Sequence, residues 1–240
     1  MYCWRCTGSP SFAGSQAVIA AFTGGGGKTS LIWYLAEKFA GEGKRVIVTT
    51  TTHMAWEPER PFADAGDAAG IRQLLEQYGY VTAAYHKAGQ PKISGPDREI
   101  LEKLSGFCDL LLVEADGSKR LPLKVPAQWE PVIPEMADVV VGVTGLDSIG
   151  KKISETAHRP EDVARFLGKN VEDTVTWEDV AAIAVAEDGL RKDVGERQFL
   201  AYLNKADMLE TPEAVEKIVE SCRLHGITAV CGSLRFNRIK

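Results

Sequence analysis

The sequence predicts an α/β protein, a mostly parallel sheet with helices on both faces in three layers. Three observations lead there. Short apolar runs that do not alternate with polar residues recur along the chain, as strands buried on both faces require. Segments with apolar residues at helical spacing separate those runs. Between the first run and the first such segment stands a glycine-rich stretch that ends in Lys-Thr-Ser.

The elements follow in order. Residues 17–22 (AVIAAF) read as a buried strand, residues 30–40 (SLIWYLAEKFA) as a helix and residues 45–50 (RVIVTT) as a second strand. A helix over 71–78 and a strand over 80–85 come next, then a helix over 96–105 with an early proline. Residues 109–115 (DLLLVEA) make the strongest strand, and residues 138–144 (DVVVGVT) make another. In the second half, 158–167 and 176–186 are helical, 197–203 is a strand, 212–225 a helix and 226–231 a closing strand. The proline-rich stretch 121–134 (LPLKVPAQWEPVIP) is expected to cross the surface near the strand ends. Residues 1–16 lack periodicity and read as a flexible lead-in, which leaves 17–240 as one nucleotide-binding domain.

Composition narrows the partners. A net charge of −5 gives no broad basic surface to neutralise phosphates, which argues against bulk binding of nucleic acid or of an anionic membrane. A local basic pocket from Lys119, Arg120 and Lys124 stays open. The five cysteines, Cys3, Cys6, Cys108, Cys222 and Cys231, are odd in number and scattered. With no secretory leader evident, and an apolar run at 17–22 far too short to span a membrane, a cytoplasmic location is expected. Cys3 and Cys6 have the spacing of half a zinc site, but no second pair lies nearby.

The chemistry concentrates in four places. Gly24, Gly25, Gly26 and Gly27 permit a backbone fold whose N–H groups point at phosphate oxygens, and the start of the next helix adds partial positive charge. Lys28 is expected to bridge the outer phosphates of a nucleoside triphosphate, GTP or ATP, and the hydroxyl of Thr29 to ligate Mg²⁺, with Ser30 completing the loop. Phe22 stands where the longer loop pattern wants glycine, so the match is to a shorter variant. Glu114 and Gly117 close the strongest strand in the acid-x-x-glycine spacing that holds Mg²⁺ and meets a γ-phosphate. Asp116 is a second candidate, for the metal or for the attacking water. Asn204-Lys205-Ala206-Asp207 after a late strand has the pattern that reads guanine, whose N1–H and 2-amino donors suit the aspartate. Residues 231–233 are placed to offer a backbone contact to the base edge, and a hydroxyl from Thr49, Thr50, Thr51 or Thr52 is a candidate phosphate or metal contact. Arg159 is read as a helix cap that could reach a phosphate, and Trp129 and Trp177 as core or pocket aromatics.

The loop variant resembles the signal-recognition and MinD-like branch of P-loop NTPases. Thr23 replaces the lysine that many of those members carry, so a lysine reaching across a dimer is not carried over, although a homodimer stays open. The segments TGGGGKTSLI, EADGSKRLPLKVPAQWEPVIP, VVVGVTGLDSIGK, AHRPEDVA and LNKAD occur in that order and together resemble the YqeC family from about residue 17 to the C-terminus. That resemblance implies an accessory protein in selenium cofactor biosynthesis. Its partners would be a selenium-dependent molybdenum hydroxylase or the proteins that mature its cofactor. Three readings follow: a Mg²⁺-dependent GTPase serving that maturation; an ATP-dependent small-molecule kinase whose acceptor is held by Lys119, Arg120, Lys124 and His158; and a nucleotide-dependent binding switch or chaperone with little turnover.

Overall fold

A computed structural model of the chain describes residues 17–209 and 212–234, together with the backbone of 238–239. The lead-in, with Cys3 and Cys6, lies outside the described residues. Strands and helices alternate: β1 (Val18–Gly24), α1 (Lys28–Gly41), β2 (Val46–Thr50), β3 (His53–Ala55), β4 (Phe62–Asp64), α2 (Ala68–Tyr78), β5 (Tyr80–His86), β6 (Lys92–Ser94) and α3 (Arg98–Ser105). The chain continues through β7 (Leu110–Glu114), β8 (Leu123–Lys124), β9 (Val139–Gly145), α4 (Ile153–Thr156), β10 (Ala157–His158), α5 (Pro160–Leu167) and α6 (Trp177–Val185). It ends with β11 (Gln198–Asn204), α7 (Glu213–Leu224), β12 (Thr228–Ser233) and β13 (Arg238–Ile239).

The main sheet runs β13-β12-β11-β9-β1-β7-β2-β5-β6-β3, with β4 on β5. From β12 to β5 every pairing is parallel, so all those strands deliver their C-terminal ends to one edge. The register sets Phe22 beside Glu114 and Thr50 beside Glu114, which brings three loops to one place. Such strands are covered on both faces, and the apolar runs say why: β7 (LLLVE) and β2 (VIVTT) are buried at every position. One face packs on α1 through Leu31, Ile32, Trp33 and Ala36 against Phe22, Val48 and Leu112. The other face carries α2 and α3 through Ile71, Leu75, Leu101 and Leu104, and further along α6 and α7 through Val180, Ile183, Ile218 and Cys222.

Local signals explain several helix starts. Asp67 and Asp97 accept the N–H groups of Gly70 and Ile100, each at 3.0 Å, and Thr176 with Asp179 forms a reciprocal cap on α6. The expected three-layer α/β architecture is present, and each anticipated strand and helix lies within a few residues of its expected place. Differences have physical causes. Strands β3, β4 and β6 are three residues each, too short for a period of two to register against their surroundings. The stretch 121–134 does not simply cross the surface: Leu123 is fully buried and Lys124 is 1% exposed, because β8 pairs with β10 beneath α5 and ionic partners await the lysine. His158 belongs to β10 rather than to the following helix.

Leu111 lies at the centre of β7 with no exposure, packed between β1 and β2. Truncation there removes buried methyl groups and leaves a cavity. We expect Leu111→Ala to lower the unfolding free energy by about 3 kcal/mol, read from the urea midpoint at unchanged slope. A loss well under 1 kcal/mol would be incompatible with a central strand.

Candidate functional site

The glycine-rich loop joins β1 to α1 along the C-terminal sheet edge. Gly24, Gly26 and Gly27 take φ of 91°, 77° and 114°, a region that side chains other than glycine's enter at a cost. At Gly26 a Cβ would also collide with the backbone of Gly145. Helix α1 has no side-chain cap and no acid in its first turn, so its leading N–H groups are free of internal competitors for an anion. The Lys28 ammonium donates to Gly24 O at 2.5 Å and lies 3.1 Å from Asp116 Oδ1, with both side chains buried. Thr29 Oγ1 donates to Glu114 Oε2 at 2.6 Å. Burial pushes the Glu114 carboxyl up, against the pull of Lys28 and of the Thr29 hydrogen bond. The expected phosphate and metal residues Lys28, Thr29, Glu114 and Asp116 therefore share one cluster, with Lys28, Glu114 and Asp116 buried and Thr29 half-buried.

Asp116 anchors a ladder of alternating charge. Its carboxylate accepts Gly24 N–H at 3.0 Å and the Lys124 ammonium at 2.8 Å, and it is fully buried. Lys124 also donates to Gly117 O at 2.6 Å and pairs with Glu130 Oε2 at 2.9 Å. Glu130 in turn takes a forked pair from Arg159, at 2.7 and 3.1 Å. Burial alone would raise the Glu130 carboxyl; Arg159 and Lys124 outweigh it and hold the group down to about 2. His158 sits nearby, pushed down to about 4 by burial and by the positive charges of Arg159, Lys124 and Lys119. The anticipated basic pocket of Lys119, Arg120 and Lys124 does not form. Lys124 is consumed by internal pairs, and Lys119 and Arg120 are exposed. Arg159 likewise reaches Glu130 rather than standing free.

Beside the loop opens a cavity of about 320 Å³, lined by Gly27, Ser30, Asp147, Asn204, Lys205, Asp207 and Ser233, among others. Asn204 Nδ2 donates to Gly26 O at 2.7 Å while its Oδ1 accepts Lys205 N–H at 2.9 Å, so it braces the phosphate loop against the second loop. Lys205 stands at φ 62° and pairs with Asp147 at 2.8 Å. Asp207 is exposed at the cavity and makes no hydrogen bond or ion pair with a described residue. Among the described residues Ser233 Oγ, 6% exposed as a residue, has no hydrogen-bond partner, and neither has Asp147 Oδ1.

Other candidates take different roles. The threonines bind protein carbonyls: Thr49 that of Ala83, Thr50 that of Glu114 and Thr51 that of Val132, at 2.7, 2.7 and 2.6 Å. Thr52 hydroxyl faces Thr50 hydroxyl at 3.4 Å. Trp129 is 72% exposed, outside the core. Burial pushes the thiols of Cys108 and Cys222 up to about 12 and about 11. Asp147 and Glu130 were not foreseen as site residues. Asp147 had a usable signal, an acid just past the end of the strand run at 138–144, on the sheet edge that Glu114 also reaches. Glu130 had none, since its relevance depends on where Lys124 folds.

Residues 20–161 match the family model described as YqeC protein. The chain belongs to the YqeC family. A relative from Escherichia coli (strain K12), described as "Uncharacterized protein YqeC", is 31% identical over 225 residues, covering 91% of this chain and 88% of that protein. Among solved structures, the hydrogenase maturation factor HypB from Archaeoglobus fulgidus is similar with a TM-score of 0.44 at 14% identity, covering 92% of this chain and 84% of that one. Chloroplast FtsY from Physcomitrella patens is similar with a TM-score of 0.47 at 14% identity, covering 93% of this chain and 61% of that one. The matched family range of this YqeC chain includes the phosphate loop and the ladder to Arg159, while Asn204, Lys205 and Asp207 lie beyond it. Among the described residues, no helix is long and apolar enough to cross a membrane.

The neutral His158 has a consequence for acid stability. Its folded pKa of about 4 lies below the ordinary 6.5, so the unfolded chain binds more protons in between, and stability falls as pH drops through that window. We expect His158→Gln to flatten the pH dependence of unfolding free energy between those limits. An unchanged slope in denaturant titrations would show that the imidazole is not held neutral.

Proposed function

We propose that this protein binds a nucleoside triphosphate with Mg²⁺, prefers guanine, and hydrolyses it. The observation that carries the reading is continuity: the cavity holding Asn204, Lys205 and Asp207 begins at Gly27 and Ser30, where the phosphate loop ends. A base in that cavity thus leads directly to phosphates at the loop.

The residues fit such a ligand. Lys28 would leave Asp116 for the outer phosphates, since a phosphate is a stronger partner than the Gly24 carbonyl it now holds. Thr29 and Glu114, already hydrogen-bonded to each other, would hold Mg²⁺, which supplies charge neutralisation on the phosphate oxygens. Among the described residues no cluster of three or more His, Cys, Asp or Glu is arranged to bind a metal alone, so phosphate oxygens are needed to complete the coordination. Asp116 orients the attacking water, held in place by its hydrogen bond from Lys124, and Gly117 offers its N–H to the γ-phosphate. Asp207, without a partner among the described residues, accepts the N1–H and 2-amino donors of guanine, and Lys205, braced by Asp147, fixes the loop that presents it. Adenine lacks that donor pair. The kinase reading is weaker, because two of its four acceptor ligands are committed: Lys124 is paired internally and His158 is held uncharged.

The purpose of hydrolysis is drawn from the family resemblance: maturation of selenium-dependent molybdenum hydroxylases, with such an enzyme or its cofactor-maturation proteins as partners. A cytoplasmic location belongs to the same reading, and a homodimer is one assembly it allows.

Titration calorimetry tests the site. We expect Lys28→Ala to lose about 2–5 kcal/mol of GTP affinity while remaining folded, and Asp207→Asn to weaken GTP and strengthen xanthosine triphosphate. Equal affinity of the wild type for ATP and GTP would end the guanine assignment. Glu114→Gln should reduce turnover more than binding, because metal and water are positioned chiefly for the transition state. Unchanged hydrolysis would move that role to Asp116.

The biological role needs a cellular readout. A deletion strain should keep ordinary molybdenum enzymes active and make selenium-dependent hydroxylase lacking its labile selenium. Fully seleniated, active hydroxylase from that strain would refute the maturation role.

A further inference from the structure

The segment that leaves β7 lies directly on the phosphate loop. Gly26 N–H donates to Leu121 O at 3.0 Å, and Gly145 N–H donates to Pro122 O at 3.0 Å. A Cβ at Gly25 would meet Leu121 O at 2.7 Å and Pro122 O at 3.0 Å. Gly25 N–H is taken as well, by Val143 O at 2.9 Å. Loop amides that a phosphate would use are therefore occupied by protein carbonyls.

The same segment is strained and free in its middle but pinned at both ends. Lys119 and Arg120 are consecutive residues at φ 49° and 65°, a conformation that disfavours side chains other than glycine's. Both are exposed, and neither has an ion-pair or hydrogen-bond partner among the described residues to compensate. At one end Asp116, two residues past β7, is fully buried. At the other, Lys124 grips Asp116, Gly117 O and Glu130, while Lys192 donates to the carbonyls of Ala127, Gln128 and Glu130. Residues 117–123 lie between these anchors, and the last of them, Leu123, is itself buried in β8, which leaves 117–122 as the part that can move.

We propose that residues 117–122 are a strap that plugs the phosphate loop while the nucleotide site is empty, and that a bound triphosphate displaces it. The proposal rests on the phosphate-loop reading above. A charged phosphate oxygen is a better acceptor for Gly26 N–H than the neutral Leu121 carbonyl, so the ligand has the differential affinity that a population shift needs. Lys119 and Arg120 are the hinge, because leaving the left-handed region relieves them. When Lys28 turns to the phosphates, Asp116 keeps Lys124, and the anchor survives the movement.

Hydrogen exchange read by mass spectrometry on the wild-type protein tests this, with Mg²⁺ and a non-hydrolysable GTP or ATP analogue at saturating concentration. We expect slower exchange over residues 24–30 together with exchange roughly tenfold faster at Leu121 and Gly145, whose amides lose the Ser118 and Pro122 carbonyls as the strap lifts. Slower exchange at 24–30 with Leu121 and Gly145 unchanged or slower would overturn the strap and leave the phosphate site standing. No change at 24–30 with either analogue would overturn the phosphate-loop reading and the strap with it.

Discussion

The site depends on one shared carboxylate. Asp116 is fully buried, and it holds Lys28 of the phosphate loop on one side and Lys124 on the other while accepting the N–H of Gly24. A lysine or carboxylate buried alone would shed its charge, at a cost of several kcal/mol in a poorly solvated interior. Here Asp116 has three partners, and each contact fixes the position of the others. Around this point the loop, the end of β7 and the proline-rich stretch are drawn into one body.

Buried ionic networks seldom add much net stability, since desolvation offsets most of the attraction. Their worth here is positional. Each inner member has two partners, Asp116 in Lys28 and Lys124, Lys124 in Asp116 and Glu130, and Glu130 in Lys124 and Arg159, so the position of each is fixed from two sides. An arrangement of that kind is well suited to a ligand that competes for one member. A triphosphate would take Lys28, the end of the ladder nearest the loop, and leave the remaining pairs intact.

The parallel sheet supplies the stage. Because β1, β7, β9 and β11 all end at one edge, residues from distant parts of the chain converge without long loops. Gly26 meets Asn204 across 178 positions, and Thr29 meets Glu114 across 85. The cavity beside Asp207 exists because β11 lies two strands from β1, with β9 between them carrying Asp147 just past its end. Hydroxyls at the end of β2, which lies beyond β7, are instead used to fasten neighbouring strands.

By itself the sequence determined the parallel α/β class, because apolar runs without alternation and helical spacings are local patterns that follow from burial on two faces or one. It also determined which residues meet at the glycine-rich loop, since Gly24 to Ser30, Glu114 and Asp116 stand at strand ends where the topology must gather them. Three-residue strands such as β3 and β6 left no readable period. Only the tertiary structure decided which cations are free. Lys119, Arg120 and Lys124 look alike in sequence, yet Lys124 is buried between Asp116 and Glu130 while the other two face solvent. The role of Glu130 and the seat of the Leu121 carbonyl on the loop were hidden for the same reason. Charge pairing and backbone contact across the fold depend on distances in space, and no spacing along the chain encodes them.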